Sequence, residues 1–320
     1  MNLPQNLKVR RPTYADAQAI TDLMRAHDLA MAGYADTTLS DVLDQWKELD
    51  LQHNAWAMVD EQDRIIGYEE LYTSTHGRFT IDGFVHPDWI GLGIGTYLVQ
   101  LAEARANELI GTISAEYEVF ISTGHYTQDD NAYAMLQDLG YKVTRYFYRM
   151  SIDLDTLPPL VDWPEGYRVC AFDPNKDGPM MYELHMTSFA EHYGFARRPY
   201  ETWALNHLQS AIFRPDLWLY VAYGDEPVGF ALNYLREDGI GWISTLGVLK
   251  EHRKRSIGLG ILQHSFRLLY EAGARRVQLG VDADNSSGAV RLYENAGMTA
   301  TTRFTIQEKV IRDGIRQSIS

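Results

Sequence analysis

Short blocks of alternating apolar and polar residues give way along the chain to three-to-four-residue apolar spacing, and this order of switches occurs twice. In the first half, residues 7–11 read as a strand and residues 14–28 and 38–50 as helices. Residues 54–60, 64–73 and 79–86 then alternate as a three-stranded meander with turns EQD and STHG. A helix from Gly93 to Leu109, a strand at 114–122 and a helix at 129–139 follow, the last stopped by Gly140 as a natural helix C-cap. In the second half the meander is WLYVAY, VGFALNYL and IGWISTLGV, with turns GDEP and REDG. A helix at 257–273, the strand VQLGVDA and a helix at 286–296 closed by Gly297 complete it.

Three landmarks set the repeat. Val9 and Val169 lie 160 residues apart, Gly95 and Gly258 lie 163 apart, and Gly140 and Gly297 lie 157 apart. A spacing near half the chain predicts a duplicated domain. Residues 1–154 form one copy and 167–320 the other, joined through 155–166, where three prolines make a stiff linker.

Composition narrows the function. At 320 residues, 45% hydrophobic and 22% charged, the chain is long and apolar enough for two folded domains. A net charge of −14 argues against general nucleic-acid binding. It suits cationic acceptors, although a solvated acidic surface explains it equally well. No apolar run reaches a membrane span and no leader follows Met1, so a cytoplasmic protein without membrane partners is expected. The single cysteine, Cys170, fits a reducing compartment. Neither a metal-ligand cluster nor a Ser–His–Asp signature is apparent.

Each half places a glycine-rich turn between a strand and a helix: DGFVHPDWIGLGIGTYLVQLA in the first, LGVLKEHRKRSIGLGILQHSF in the second. Strand, tight turn, helix is an anion seat, because the first amides of the helix point outward and its dipole favours negative charge. The second half adds VDADNSSGAVRLYENAGM, in which steps of four put Ala289 and Tyr293 on one helix face.

These two motifs resemble those of GNAT (Gcn5-related N-acetyltransferase) proteins. The first pattern is Arg or Gln, two residues, Gly, one residue, then Gly or Ala. Arg253, Ser256 and Gly258 occupy those places, with Ser256 where Gly is usual; Ile90, Gly93 and Gly95 do so in the first half. The resemblance covers essentially the whole chain. It implies an α/β (α+β) fold of two tandem GNAT domains, each a mixed, mainly antiparallel twisted sheet flanked by helices. It implies acetyl-CoA as cosubstrate and no metal. The pyrophosphate would sit on Arg253, Lys254, Arg255, Ser256, Ile257 and Gly258, and the pantetheine arm along Leu246–Gly247–Val248. The Val248 amide would hold the acetyl carbonyl, Asn285 and Ser287 would contact the cofactor, and Tyr293 would protonate the departing thiolate. The corresponding first-half residues are Val85, Gly91, Gly93 and Gly95.

Counted back from Gly140, Leu136 falls where Tyr293 does and Gln128 where Asn285 does. Leucine has no proton to give, so the first half is expected to be catalytically silent while still able to hold acetyl-CoA. The acceptor is expected beside HMTSFAEHYGFARRPYETW, where Glu191 or His192 could take the amine proton and Ser244 and Thr245 could hold a relay water. The partner is a small-molecule or peptide amine, with an aminoglycoside or amino sugar as the alternative, and the chain is a monomer or homodimer. A non-catalytic acetyl-CoA sensor or scaffold is the reading from a different class.

Overall fold

The computed structural model describes residues 6–317 apart from 36, 191–194, 196, 211 and 285–287. The chain divides into two compact units. One holds Met1–Tyr146 with Arg303–Gln317, and the other holds Phe147–Thr302 with Ser318–Ser320. No helix among the described residues is long and apolar enough to cross a membrane.

The N-terminal unit runs β1 (Lys8–Arg10), α1 (Ala17–Ala32), α2 (Leu39–Gln45), α3 (Leu51–Asn54), β2 (Ala55–Val59), β3 (Ile65–Tyr72), β4 (Arg78–Val85), α4 (Ile94–Leu109), β5 (Val119–Tyr126), α5 (Asp130–Asp138) and the start of β6 (Lys142–Asp153). The C-terminal unit runs from the rest of β6 through β7 (Tyr167–Ala171), α6 (Gly178–Phe189), α7 (Tyr200–Leu208), β8 (Leu219–Tyr223), β9 (Glu226–Leu235), β10 (Gly241–Val248), α8 (Ile257–Glu271), β11 (Arg276–Asp282) and α9 (Ala289–Asn295) to the start of β12 (Thr299–Arg312).

Strand order shows an exchange of final strands. In the N-terminal unit the order is β1-β2-β3-β4-β5-β12, and in the C-terminal unit it is β6-β11-β10-β9-β8-β7. β12 meets β5 antiparallel from Phe304↔Tyr126 to Arg312↔Val119. β6 meets β11 from Asp153↔Arg276 to Phe147↔Asp282. Each unit thus completes its sheet with a strand that a contiguous half would have given to the other. The side chains confirm the docking of β12: Gln307 is fully buried, and its Oε1 lies 2.9 Å from Nε2 of His125 on β5.

Each sheet is antiparallel except at one pair, β4 with β5 and β10 with β11. A helical crossover joins each parallel pair, as that connection requires. Both crossover helices lie close on the sheet because glycine faces them. A Cβ at Gly67 would stand 2.9 Å from Ile94, and one at Gly229 would stand 2.8 Å from Ile261. On the other face of the N-terminal sheet, Ile20, Val42, Trp46 and Tyr68 are buried with α1 and α2. Large side chains of this kind contribute about 1.5–3 kcal/mol each on burial.

Two local differences from the sequence pattern have physical causes. The strand expected at 114–122 lies at Val119–Tyr126, because Ser114 and Tyr117 close a turn through Tyr117 N–H to Ser114 O at 3.1 Å. The helix expected over 38–50 ends at Gln45, and α3 starts anew behind Asp50, whose side chain accepts from Gln52 N–H.

The strand exchange has a direct test. Deleting residues 303–320 is expected to strip β5 of its partner and to speed amide hydrogen exchange over residues 119–126, in the N-terminal unit. Unchanged protection of those amides would contradict the pairing.

Candidate active site

β10 and β11 are paired only at Gly241↔Val277 and Trp242↔Gln278. From Ile243 onward the two strands part, and a wedge opens between them. Beyond Trp242 its β10 edge has no strand partner in β11. Leu249 N–H bonds back to Val228 O on the β9 side at 2.8 Å. Strand amides alternate in direction, so those of Val248 and Leu246 face the wedge. The register of β10 on β9 slips between Ile243 and Thr245, which leaves Ser244 as an exposed bulge residue. Bulges re-aim the backbone and recur beside active sites.

The turn at the wedge mouth leads into α8. Lys254 and Ser256 adopt φ of 61° and 63°, matching Gly91 and Gly93 of the first half at 84° and 79°. The two turns therefore share one backbone path although only one is glycine-rich at these places. Ser256 caps α8, and the first helical bond is Gly260 N–H to Ser256 O at 2.9 Å. The amides before Gly260 have no partner within the helix and can receive an anion. A Cβ at Gly258 would stand 3.3 Å from Leu292 on α9, and one at Gly95 would stand 3.0 Å from Met135 on α5. The same glycine thus lets the same two helices meet in both units. Lys254, Arg255 and Ser256 are exposed, Gly258 is half-buried and Ile257 is buried.

Arg253 is placed differently from its neighbours. Its Nε donates to Val248 O at 3.0 Å and Nη2 donates to Ser188 O at 3.1 Å. The side chain braces the end of β10 against the end of α6. Gly247 permits that approach, since a Cβ there would stand 2.6 Å from Phe230 and 2.9 Å from Ser188.

Tyr293 is buried on α9 in an apolar cluster with Leu279 and Val281 of β11, with Leu246 of β10 packed against it. It thus packs on the β11 side of the diverging pair. Burial pushes its phenol up to about 12, so the hydroxyl keeps its proton through the physiological range. Gly297, at φ 92°, closes α9, and Met298 N–H bonds to Tyr293 O at 3.0 Å. Gly140 and Tyr141 repeat this closure behind Leu136, at φ 90° and 2.9 Å.

Glu191, His192, Asn285 and Ser287 lie outside the described residues. Around the acceptor side, His185 is buried and accepts from Trp203 Nε1 at 3.0 Å. Burial, with His207 nearby, lowers it to about 3, so it is a neutral core histidine. Glu183 is exposed and paired with Arg197 at 2.6 Å. Among the described residues no group of His, Cys, Asp and Glu is arranged to hold a metal ion.

The N-terminal unit has the same wedge with a different lining. β4 and β5 pair from Arg78↔Phe120 to Ile81↔Thr123 and then part. His86 N–H bonds to Ile66 O at 2.9 Å, so Val85 N–H faces the wedge as Val248 N–H does. β4 has no bulge against β3. Carboxyl groups collect instead on β3 and β4. Asp82 lies beside Glu70, and burial with that neighbour pushes Asp82 up to about 8. Glu70 accepts from Tyr68 at 2.6 Å and Tyr72 at 2.9 Å. The bulge and these carboxyls were not singled out from the sequence. The bulge leaves a one-residue signal, because Leu71↔Ile81 and Asn233↔Ile243 match across the halves with one residue fewer than Val85 and Val248 do.

Two outcomes follow. Serine at φ 63° is strained by roughly 1 kcal/mol relative to glycine. Ser256→Gly is therefore expected to raise stability by up to about 1 kcal/mol in urea titration, and a lowered midpoint would show that the hydroxyl outweighs the strain. Asp82, raised in the folded state, adds stability that is complete below its ordinary value near 3.8 and is lost as pH rises toward about 8. Asp82→Asn is expected to flatten the fall of melting temperature over that interval, and an unchanged slope would contradict the burial.

The sequence profile of the acetyltransferase (GNAT) family matches residues 20–141 and again residues 178–298. A mycothiol acetyltransferase of Corynebacterium efficiens is 28% identical over 281 residues, covering 81% of this chain and 93% of its own. That of Sanguibacter keddieii is 27% identical, covering 91% and 92%. A GCN5-related N-acetyltransferase from Sphaerobacter thermophilus superposes over all of both chains with a TM-score of 0.88 at 33% identity. A tandem GNAT protein from the clavulanic acid biosynthesis pathway shares the fold, with a TM-score of 0.72 at 15% identity over 97% of this chain and 100% of its own. The chain belongs to the acetyltransferase (GNAT) family and carries two tandem GNAT domains; the activity that goes with it is acyl-CoA-dependent N-acetyl transfer.

Proposed function

We propose that this GNAT protein moves the acetyl group of acetyl-CoA to a primary amine of a small molecule or peptide, and that the C-terminal unit does the chemistry. The observation that carries this reading is Tyr293, a buried and protonated phenol packed with Leu279 and Val281 of β11 in a cluster that Leu246 of β10 also joins. Leu136 stands at the same place in the N-terminal unit and can donate nothing.

The residues have distinct tasks. The turn from Arg253 to Gly258 seats the pyrophosphate on the outward amides at the start of α8. Leu246, Gly247 and Val248 offer a free strand edge to the pantetheine arm. The amine nitrogen attacks the thioester carbon, a C–N bond forms and the C–S bond breaks. The Val248 amide donates to the carbonyl oxygen as charge builds on it. The Tyr293 hydroxyl gives its proton to the leaving thiolate, and the ammonium proton passes to a base on the acceptor side, for which Glu191 and His192 are the candidates. Asn285 and Ser287 are the cosubstrate contacts that the family motif implies. Val85, Gly91, Gly93 and Gly95 hold a second acetyl-CoA in the N-terminal unit without turnover.

For the acceptor, similarity to the mycothiol acetyltransferases favours the amino-sugar alternative. The net charge of −14 suits a cationic acceptor.

Tyr293→Phe is expected to lower kcat by about 100-fold or more, with acetyl-CoA affinity nearly unchanged. Steady-state release of CoA with an amine panel, beside calorimetric titration of acetyl-CoA, measures both. Full turnover by the variant would remove Tyr293 from the mechanism. Binding with no turnover by the unmodified protein toward any amine would favour the sensor reading.

A further inference from the structure

The wedge of the N-terminal unit encloses a cavity of about 540 Å³. The turn 89–95 closes its mouth, and Val85, Leu98, Val99 and Leu136 supply apolar wall. Glu69 on β3 also lines it and is only 2% exposed. Its Oε1 has no hydrogen-bond partner. The carboxyl lies over Gly83, where a Cβ would stand 2.3 Å from Oε2.

The C-terminal unit makes the contrast plain. Glu69 pairs with Gly83 in the N-terminal unit, and Ala231 pairs with Leu246 at the matching place in the other. Where one unit has two apolar residues, the other has a carboxyl and the glycine that gives it room. A polar atom left unpartnered in the core is costly, so a merely structural role does not explain it. Asp82 and Glu70 add their charge to the burial, which holds Glu69 well above the usual carboxylate range. The group is therefore a neutral acid with an O–H to give.

Its place says to what. The amides at the start of α4 attract an anion at the cavity mouth. In this unit the arm running inward along β4 continues past the Val85 amide, the counterpart of Val248, to Gly83, about 7 Å deeper at the strand rise. The acyl end of such an arm arrives beside Glu69.

We propose that Glu69 reads the acyl end of an acyl-CoA held in the N-terminal unit, its carboxyl donating a hydrogen bond to the thioester carbonyl, so that this site takes acetyl-CoA in preference to free CoA. This rests on the reading that the N-terminal turn holds CoA. A thiol sulfur accepts weakly, so free CoA cannot replace the contact. Leu136 offers the leaving sulfur no proton, and the thioester is held rather than consumed. The site then reports the acetylation state of the CoA pool.

The groups around Glu69 set the sign of its pH dependence. Glu70 and Asp82 stand on the opposite face of the sheet and act on Glu69 only through their charge, and Tyr141 feels its charge from behind α5. Across the cavity stand His27, His125 and Asp129. Both ring nitrogens of His125 are engaged, by Tyr126 O at 2.8 Å and Gln307 Oε1 at 2.9 Å. His27 Nε2 lies 3.6 Å from Asp129. Carboxylates dominate, so ionising Glu69 removes a donor and adds repulsion. Affinity for acetyl-CoA at this site should fall as pH rises.

Hydrogen exchange with acetyl-CoA or CoA titrated onto the intact protein tests this, because peptides over 83–96 and 246–260 report the two units separately. The expected preference for acetyl-CoA over CoA at 83–96 is about tenfold, the worth of one hydrogen bond in a buried site. Glu69→Gln keeps a donor, so it should keep the preference and lose the pH dependence. Glu69→Ala should bring the preference to about one. A preference that survives in Glu69→Ala would overturn the role of Glu69 while leaving the N-terminal CoA site standing. Affinity that rises with pH and is lost in Glu69→Gln would also overturn it, by showing a carboxylate that binds a cation. Protection at 246–260 alone would overturn both the site and its reader.

Discussion

The proposed function depends on a parallel strand pair that does not stay paired. β10 and β11 share two residue pairs and then diverge. In a sheet this would be a defect, since it leaves amides and carbonyls without partners. In the proposed reading it offers a flexible thioester substrate a strand edge to lie against, a helix start at the mouth for its phosphates, and a phenol on the β11 side. The geometry is held from outside the wedge. Glycines on β9 and β10 let α8 and α6 press onto the sheet, Arg253 ties β10 to α6, and the Ser244 bulge turns the backbone just below the cleft.

Duplication makes the same scaffold into its own control. Both units keep the turn, the left-handed positions within it, the contact of α4 or α8 through glycine, and the closure behind the last helix. They differ where chemistry would differ. The C-terminal unit has Tyr293, a bulge and an apolar floor. The N-terminal unit has Leu136, an unbulged strand and a buried carboxyl. Loss of a proton donor would account for a silent first unit, but it does not account for an acid placed in the core at a cost in stability. The proposed role of Glu69 in binding does.

Much of the fold was legible because hydrophobic periodicity and glycine position are local. The meanders, the crossover helices and the repeat follow from spacings of residues near one another. The strand exchange was not legible, since nothing local in residues 142–153 and 299–312 says which sheet they join, and only long-range pairing decides it. The site divides in the same way. Tyr293, Gly258 and the turn carry motif spacing, so the sequence alone is enough to propose them. Glu69 carries none: a glutamate within a strand pattern reads as an exposed position until the facing residue is known to be Gly83. Arg253 shows the converse, a residue named from its motif whose side chain is bound to two backbone carbonyls.

The central claim is that acetyl transfer takes place in the C-terminal wedge with Tyr293 beside the sulfur. A crystal structure of the protein with acetyl-CoA, or with a non-hydrolysable thioether analogue, measures this directly. The account expects the sulfur within hydrogen-bond reach of the Tyr293 hydroxyl, about 3.5 Å or less for a sulfur acceptor, with the carbonyl oxygen on a wedge-facing amide of β10. A cosubstrate seated in the C-terminal unit with its sulfur remote from Tyr293, or one bound productively only beside Leu136, would contradict it.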